Sequence, residues 1–433
     1  MGGRARAGRE RGSWLLAFTF PGQGSQRPAM GASWTGHESF ELVTHASEVV
    51  GLDVAALLLE ADQETLTRTA NAQLATFVTS LVVLDAAERL GLEPAACAGH
   101  SLGEYTALVA TGALTYEDGL RLVWERGAAM QDAADQRAGT MMAVLGLDDD
   151  DVAAACQRSE GEAWVANYNA PGQVVIAGDP AALAEVAEIA RSLGAKRVLA
   201  FPVGGAFHTP FMTPARDRLR KALATVTFHP AEPVVVANVD ARPHPEPDDW
   251  PGLLSAQLCG PVRWRQSLAT LHGAGARTFV ELGPGGVLTG LVKRALPPDG
   301  VTAVSVATPA DLEGLVERLA GAAAATGRET AHDNERFLMT ERLIVAPATG
   351  RFRPEPAFAA ATPQLPTRRD RDGDTAAAPA GQLHVAVGDR VGWAGEAEIR
   401  SAFAGSLEGL LVLPGERVVP GQPVAWLRAS EER

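Results

Sequence analysis

Six short apolar runs punctuate residues 15–306, and longer stretches of helical periodicity separate them. The runs at 15–20, 95–98, 174–177, 234–237, 278–282 and 302–306 read as strands. Residues 72–90, 102–111, 116–134, 180–193 and 213–224 read as helices. Alternation of this kind specifies an α/β fold with a parallel sheet covered on both faces. Each parallel pairing needs a crossover long enough to hold a helix. Residues 138–204 break the rhythm. Apolar runs at 138–147, 163–178 and 196–203 with a helix in each gap indicate a small α+β subdomain inserted in the larger one.

The chain has 433 residues, enough for two or three domains. Residues 1–13 are rich in glycine and arginine and read as a flexible tail. The apolar run that follows is short for a signal peptide and leads into Pro21-Gly22-Gln23-Gly24 with no small-residue cleavage site. No later stretch holds the roughly 18 uninterrupted apolar residues of a membrane span, so no membrane partner is expected. A net charge of −14 argues against a nucleic-acid partner, because no excess positive charge exists to release counterions. Cys97, Cys156 and Cys259 lie far apart and form no CxxC pair. They suit a reducing cytoplasm rather than a disulfide framework, and no metal site is expected.

Gly99-His100-Ser101-Leu102-Gly103 fits the G-x-S-x-G elbow, with an apolar strand before it and a helical pattern after it. The glycines permit a sharp turn that lifts the hydroxyl clear of the sheet, and the following helix aims its first amides at an oxyanion. From the pattern alone, a catalytic serine and a tight structural turn both stand. A serine nucleophile needs a base. His208, in Gly205-Ala206-Phe207-His208-Thr209-Pro210, sits in a loop after the apolar run 198–203, where a base or a surface histidine fits. The turn Phe20-Pro21-Gly22-Gln23-Gly24 could lend the Gln23 amide to an oxyanion or could simply be a tight turn. Arg126 lies on an otherwise apolar helix face. It is either exposed or waiting for a buried anion, ideally a carboxylate held by both nitrogens.

These fragments, in this order, resemble the malonyl-CoA:acyl-carrier-protein transacylases and the acyltransferase domains of polyketide synthases. The matching phrases are FPGQGSQ (20–26), TANAQLA (69–75), AGHSLGEYTAL (98–108), RGAAMQ (126–131), NYNAPGQVVIAG (167–178), GAFHTPFM (205–212), QLCGPVRW (257–264) and ELGPGGVLTGLVKR (281–294). The resemblance covers about residues 15–320. It implies an acyltransferase domain over 14–325, with an α/β-hydrolase-like core and a ferredoxin-like subdomain over about 138–204. By the same resemblance Ser101 is the nucleophile and His208 the general base, oriented by the backbone carbonyl of Gln257. The amides of Gln23 and Leu102 form the oxyanion hole, Arg126 grips the free carboxylate of a malonyl group, and Gln73 lines that pocket. Leu74 departs from the family pattern, in which a proline often follows the glutamine. An aromatic at Phe207 goes with malonyl rather than methylmalonyl in this family. Its ring would fill the volume an α-methyl needs, worth about 1–3 kcal/mol of discrimination.

The implied activity transfers malonyl from malonyl-CoA to the phosphopantetheine thiol of an acyl carrier protein, in fatty-acid or polyketide synthesis. An editing hydrolase that clears stalled carrier-bound chains and a non-catalytic scaffold are the alternatives. Both CoA and carrier proteins are acidic, so docking calls for a local basic patch. Arg216, Arg218, Arg220 and Lys221 form one candidate cluster, and Arg263, Arg265, Lys293 and Arg294 another.

After a linker at 326–341 the character changes. LIVAPATGRF (343–352) is similar to EIRSAFAGSL (398–407), and VGDRV (387–391) to PGERV (414–418), an internal duplication suggesting two half-barrels. Residues 342–433 resemble a biotinyl/lipoyl-like, all-β barrel-sandwich domain. A Pro-, Gly- and Ala-rich segment at 353–382 reads as a mobile loop within it. The family attaches its cofactor to a lysine at a hairpin tip, here near 392–398. Lysine occurs only at Lys196, Lys221 and Lys293, so amide-linked biotin or lipoate is chemically excluded. The module then reads as a scaffold, or as a recruiter of a carboxylase or synthase component.

Overall fold

The computed structural model describes residues 15–325 except 202, residues 341–361 except 349, and within 383–428 all but 387–388, 402–404, 411, 413, 416 and 419–422. The expected tail at 1–13, nearly all of the linker, and 362–382 of the expected loop lie outside the described residues. The chain divides into two compact units, 1–325 and 326–433.

In the first unit a six-stranded sheet runs in the order Thr302–Val306, Ala276–Leu282, Leu15–Phe20, Ala96–Gly99, Val235–Val236, Pro243–His244. The first five strands are parallel and the last turns back antiparallel. Phe18, Phe20, Cys97, Val235 and Val280 are fully buried in its core. That two-sided burial is why the runs are apolar rather than alternating. Phe20 stands opposite Gly99, so Leu15–Phe20 and Ala96–Gly99 end side by side. The loops that follow both strands leave from the same carboxyl edge, where open α/β sheets place their ligands.

The crossover between those two strands carries the helix Thr69–Arg89. It is long and apolar enough to span a membrane by length and composition, yet 83% of its most apolar window is buried inside the protein. It also buries Gln73, Thr76, Thr79 and Ser80. It is a core helix, and its polar face is turned inward.

The second sheet of this unit orders Ala163–Ala170, Gln173–Gly178, Thr140–Leu145, Arg197–Ala200, all antiparallel. The helices Asp149–Arg158 and Pro180–Ser192 contribute Val152, Ala155, Leu183 and Val186 to a core shared with Val144, Val174 and Ile176. Asp179 caps the second helix by accepting from the Ala181 and Ala182 amides, and Pro180 occupies its first turn.

The second unit contains two four-stranded sheets. One orders Glu341–Val345, Pro423–Arg428, Gly405–Leu410, His384–Val385, and the other Ala397–Arg400, Arg390–Ala394, Gly350–Pro354, Arg417–Val418. Ile344, Phe352, Val391, Ile399, Val418 and Val424 form its core. The duplicated phrases acquire a structural meaning here. LIVAPATGRF passes from the first sheet to the second, and EIRSAFAGSL from the second back to the first. The hairpin tip falls at Gly395 and Glu396, between the paired residues Ala394 and Ala397. One expectation is corrected. The segment from 353 does not begin as a loop: the strand reaches Pro354, and Pro356–Ala361 is helical with Phe358 buried in the core. Proline suits the first turn of a helix, and the single aromatic of the segment supplies the anchor.

Candidate active site

The elbow is built by steric necessity. After Gly99 the chain bends through Ser101, which adopts φ +52°, and enters the helix Gly103–Ala110. A Cβ on Gly99 would lie 1.8 Å from the Gly103 carbonyl, and one on Gly103 would lie 2.0 Å from the carbonyl oxygen of Phe20. Neither position admits a side chain. The Pro21–Gly24 turn is equally close, since a Cβ on Gly22 would meet the His100 carbonyl at 2.5 Å. The loop bearing Gln23 is thereby pressed against the elbow bearing Leu102. Gln23 also lines a cavity of about 520 Å³ with Gln63, Thr69, Gln131 and Val203.

The Ser101 hydroxyl lies 2.8 Å from His208 Nε2, and His208 Nδ1 lies 2.8 Å from the backbone carbonyl of Gln257. A carbonyl only accepts, so Nδ1 carries the proton and Nε2 presents its lone pair to the serine. His208 is itself held at φ +62°. Burial and the nearby Arg126 cation push its pKa down to about 3. The imidazole is therefore neutral at pH 7, as a base must be.

Arg126 projects from the helix Tyr116–Gln136 and is 1% exposed. Its Nη2 donates to Ser101 Oγ at 3.0 Å and to Gln257 Oε1 at 2.9 Å, and Nη1 donates to Gln73 Oε1 at 2.6 Å. Nε has no partner, and the guanidinium lies 5.5 Å from the Tyr105 ring centroid. All its direct acceptors are uncharged. A buried cation in that condition is unbalanced, and an arriving carboxylate would balance it.

Five of the expected site residues, Ser101, His208, Arg126, Gln73 and Gln257, thus share one hydrogen-bonded cluster. Leu102 is buried at the foot of the elbow helix. Phe207 is buried next to His208 in the chain, with its ring against Gly205. His100 is turned elsewhere: its Nε2 meets Asn169 Oδ1 at 2.9 Å and its ring packs edge-on to Trp264.

Two residues escaped the sequence reading. Glu104, on the elbow helix, is 1% exposed. It accepts from the Asn238 amide at 2.6 Å and from the side-chain amide of Gln257. Burial raises its pKa to about 7, against the opposing pull of those donors and of Arg126. Asn238 accepts the Ser101 N–H on Oδ1 and donates to the Gly99 carbonyl, each at 2.7 Å, bracketing the turn. A lone acid inside the apolar phrase LGEYTAL was a readable signal, of the same kind as Arg126. Asn238 gave none, standing as one polar residue after a strand.

The candidate basic patches are largely spent on internal partners. Arg216 pairs with Asp217, and Arg218 with Glu125 and Asp132. Arg265 pairs with Asp149, Arg263 donates to the Val239 carbonyl, and Arg294 donates to Gln173.

Comparison with known proteins shows the family. The acyl transferase domain family matches residues 17–332. The malonyl CoA-acyl carrier protein transacylase of Bacillus subtilis is 37% identical over 314 residues, 70% of this chain and 97% of that protein. The Escherichia coli protein of the same name is 39% identical over 307 residues, covering 70% and 99%. Among solved structures, an acyl carrier protein S-malonyltransferase from Vibrio cholerae superposes with a TM-score of 0.66 at 38% identity, covering 69% of this chain and 99% of that one. A malonyl-transacylase in complex with its type II polyketide synthase acyl-carrier protein gives a TM-score of 0.68 at 35% identity, covering 70% and 99%. A nucleophile elbow, a neutral imidazole and a buried guanidinium, set in a chain this similar over the whole length of its relatives, make it a member of the malonyl-CoA:acyl-carrier-protein transacylase family.

Proposed function

We propose that the chain transfers malonyl from malonyl-CoA to the phosphopantetheine thiol of an acyl carrier protein, through an ester on Ser101. The observation that carries this reading is the buried Arg126 guanidinium, 3.0 Å from the Ser101 hydroxyl and satisfied only by neutral acceptors. A diacid places its free carboxylate there while its thioester carbonyl sits at the serine. An acetyl group would leave the cation without a counter-charge, a loss of about 3–5 kcal/mol.

His208 takes the Ser101 proton as Oγ attacks the thioester carbon. The negative charge that forms on the carbonyl oxygen is received by the amides of Gln23 and Leu102. The tetrahedral intermediate collapses, the C–S bond breaks, and His208 returns its proton to the departing CoA thiolate. In the second half the carrier thiol gives its proton to His208 and attacks the ester, and Oγ leaves and recovers that proton. Free enzyme and malonylated carrier result, a ping-pong sequence. Ester and thioester exchange are nearly balanced, so keeping water from the ester matters more than speed. Gln73 holds Arg126 in place, and Phe207 selects malonyl over methylmalonyl.

The catalytic domain occupies 14–325. An α/β-hydrolase-like reading of its large sheet is supported by the elbow at a strand end. A ferredoxin-like reading of 138–204 is supported by the antiparallel order of the smaller sheet with its two helices. The three cysteines are free, which suits the cytoplasm. We read 342–433 as a biotinyl/lipoyl-like barrel sandwich that carries no cofactor, since its hairpin tip holds Gly395 and Glu396 where attachment needs lysine. It serves as a scaffold that recruits a carboxylase or synthase component.

Intact mass after incubation with malonyl-CoA tests the central reading. The expected result is one malonyl adduct on Ser101, discharged by holo carrier protein far faster than by water and absent in Ser101→Ala. An adduct that water discharges as fast as carrier would make the chain a hydrolase. No adduct at all would leave a scaffold.

A further inference from the structure

Glu104 touches neither the nucleophile's oxygen nor the imidazole, yet both arms of the site end on its carboxylate. One arm runs through Asn238, whose backbone amide donates to Oε1 and whose side chain brackets the elbow at Ser101 N–H and the Gly99 carbonyl. The other runs through Gln257, whose Nε2 donates to Oε2 and to the Ser101 carbonyl at 2.9 Å while its Oε1 accepts from Arg126.

The second arm contains a logical constraint. The Gln257 amide has one donating and one accepting end, and it lies between a carboxylate and a guanidinium. Ionised Glu104 and the Ser101 carbonyl only accept and a guanidinium only donates, so a single sense of the amide satisfies all three neighbours. The flipped sense would set oxygen against oxygen at Glu104 and N–H against N–H at Arg126. Because Glu104 is three residues after Ser101 on the elbow helix, this constraint moves with the nucleophile.

We propose that Glu104 is a positioning residue: it fixes the donor–acceptor sense of the Gln257 side chain, and through it holds Arg126 in register for the substrate's carboxylate. This rests on the transfer reaction proposed above and adds the source of its acyl selectivity. An amide at 104 removes one of the three partners that fix the sense, leaving the Ser101 carbonyl and Arg126. Glutamine there still accepts the Asn238 N–H, so the elbow is kept, but it can also turn its own NH₂ toward Gln257. Gln257 is then held only by the Ser101 carbonyl and Arg126, and in the flipped state that this loosening populates Arg126 loses an acceptor and faces a donor.

The test measures Ser101 acylation by malonyl-CoA and by acetyl-CoA in the full chain, for wild type, Glu104→Gln, Gln257→Met and the double variant. Glu104→Gln is expected to raise KM for malonyl-CoA and lower malonyl kcat/KM about 100-fold, the scale of a displaced binding group. Acetyl kcat/KM should change less than about tenfold, and the double variant should lose no more than Gln257→Met alone, as residues acting in series do. Equal losses for both acyl groups, or losses that add in the double variant, overturn the proposal. If Glu104→Gln does not fold, Glu104→Asp keeps the charge, draws the oxygens back from Gln257, and is judged by the same ratio. A wild type that takes no malonyl group refutes the transfer reading itself. A wild type that does, beside a Glu104→Gln of unchanged selectivity, refutes this inference alone.

Discussion

The two units of the chain treat charge in opposite ways. In 1–325 the decisive ions, Arg126 and Glu104, are each 1% exposed and are satisfied through neutral amides. In 326–433 one cluster of described ions pairs directly at the surface: Arg390 with Glu355 and Glu398, and Arg400 with Glu398, with side chains 40% exposed at Arg390 and 39% at Glu398. Water weakens the second kind to a fraction of a kcal/mol, and removing it costs little. A buried ion gains nothing comparable for stability and is expensive when unbalanced. Its presence marks a place where stability was exchanged for recognition.

Substitutions can break this contrast. Arg126→Ala should show the largest effect: malonyl transfer falls by the equivalent of about 3–5 kcal/mol, while acetyl transfer holds or rises. Parallel acylation rates with the two thioesters decide it, and equal loss for both would remove the carboxylate clamp.

The next effect concerns pH. The His208 pKa is lowered to about 3 in the folded chain, against an ordinary 6.5. Between those values the unfolded chain binds a proton that the native state refuses. Stability is full above about pH 6.5 and declines as pH falls, by up to about 1.4 kcal/mol per pH unit. His208→Gln lacks that group, so denaturant midpoints of the two proteins should diverge as the solution is acidified. Parallel curves would place the imidazole in water.

Gly103→Ala should come third. Its Cβ meets the Phe20 carbonyl at 2.0 Å, and rigid backbone must yield. A loss of about 1–3 kcal/mol is expected in urea unfolding of the first unit. The smallest effect belongs to the other unit. Glu398→Gln breaks two exposed pairs and should cost no more than about 1 kcal/mol in urea unfolding of the second unit. A larger cost would erase the distinction between the two units.

The same physics explains how far the sequence could be read. Ser101, His208 and Arg126 sit in phrases whose neighbours are constrained by backbone contact, so the residue types announce themselves locally. Glu104 was legible by the argument used for Arg126, a charge in an apolar helix, and was passed over. Asn238 acts across 137 residues through Ser101 N–H, and nothing in its own surroundings encodes that partner. The basic clusters show the same limit: Arg218 pairs with Glu125, 93 residues away. The strand runs lie close to their expected places, but the strand within 234–237 is only Val235–Val236, and the helix read as 72–90 begins at Thr69. Propensity fixes an element's centre better than its ends.

The left-handed backbone at position 101 also limits which atoms can ever serve there. At φ +52° a β-branched side chain is a genuine outlier, because its second γ substituent crowds the turn. Threonine, although it carries the same hydroxyl, is closed to this site, whereas cysteine is sterically admissible. Any descendant or redesign of the chain that changes its reactive atom can exchange oxygen for sulfur at that position, but cannot add a methyl group.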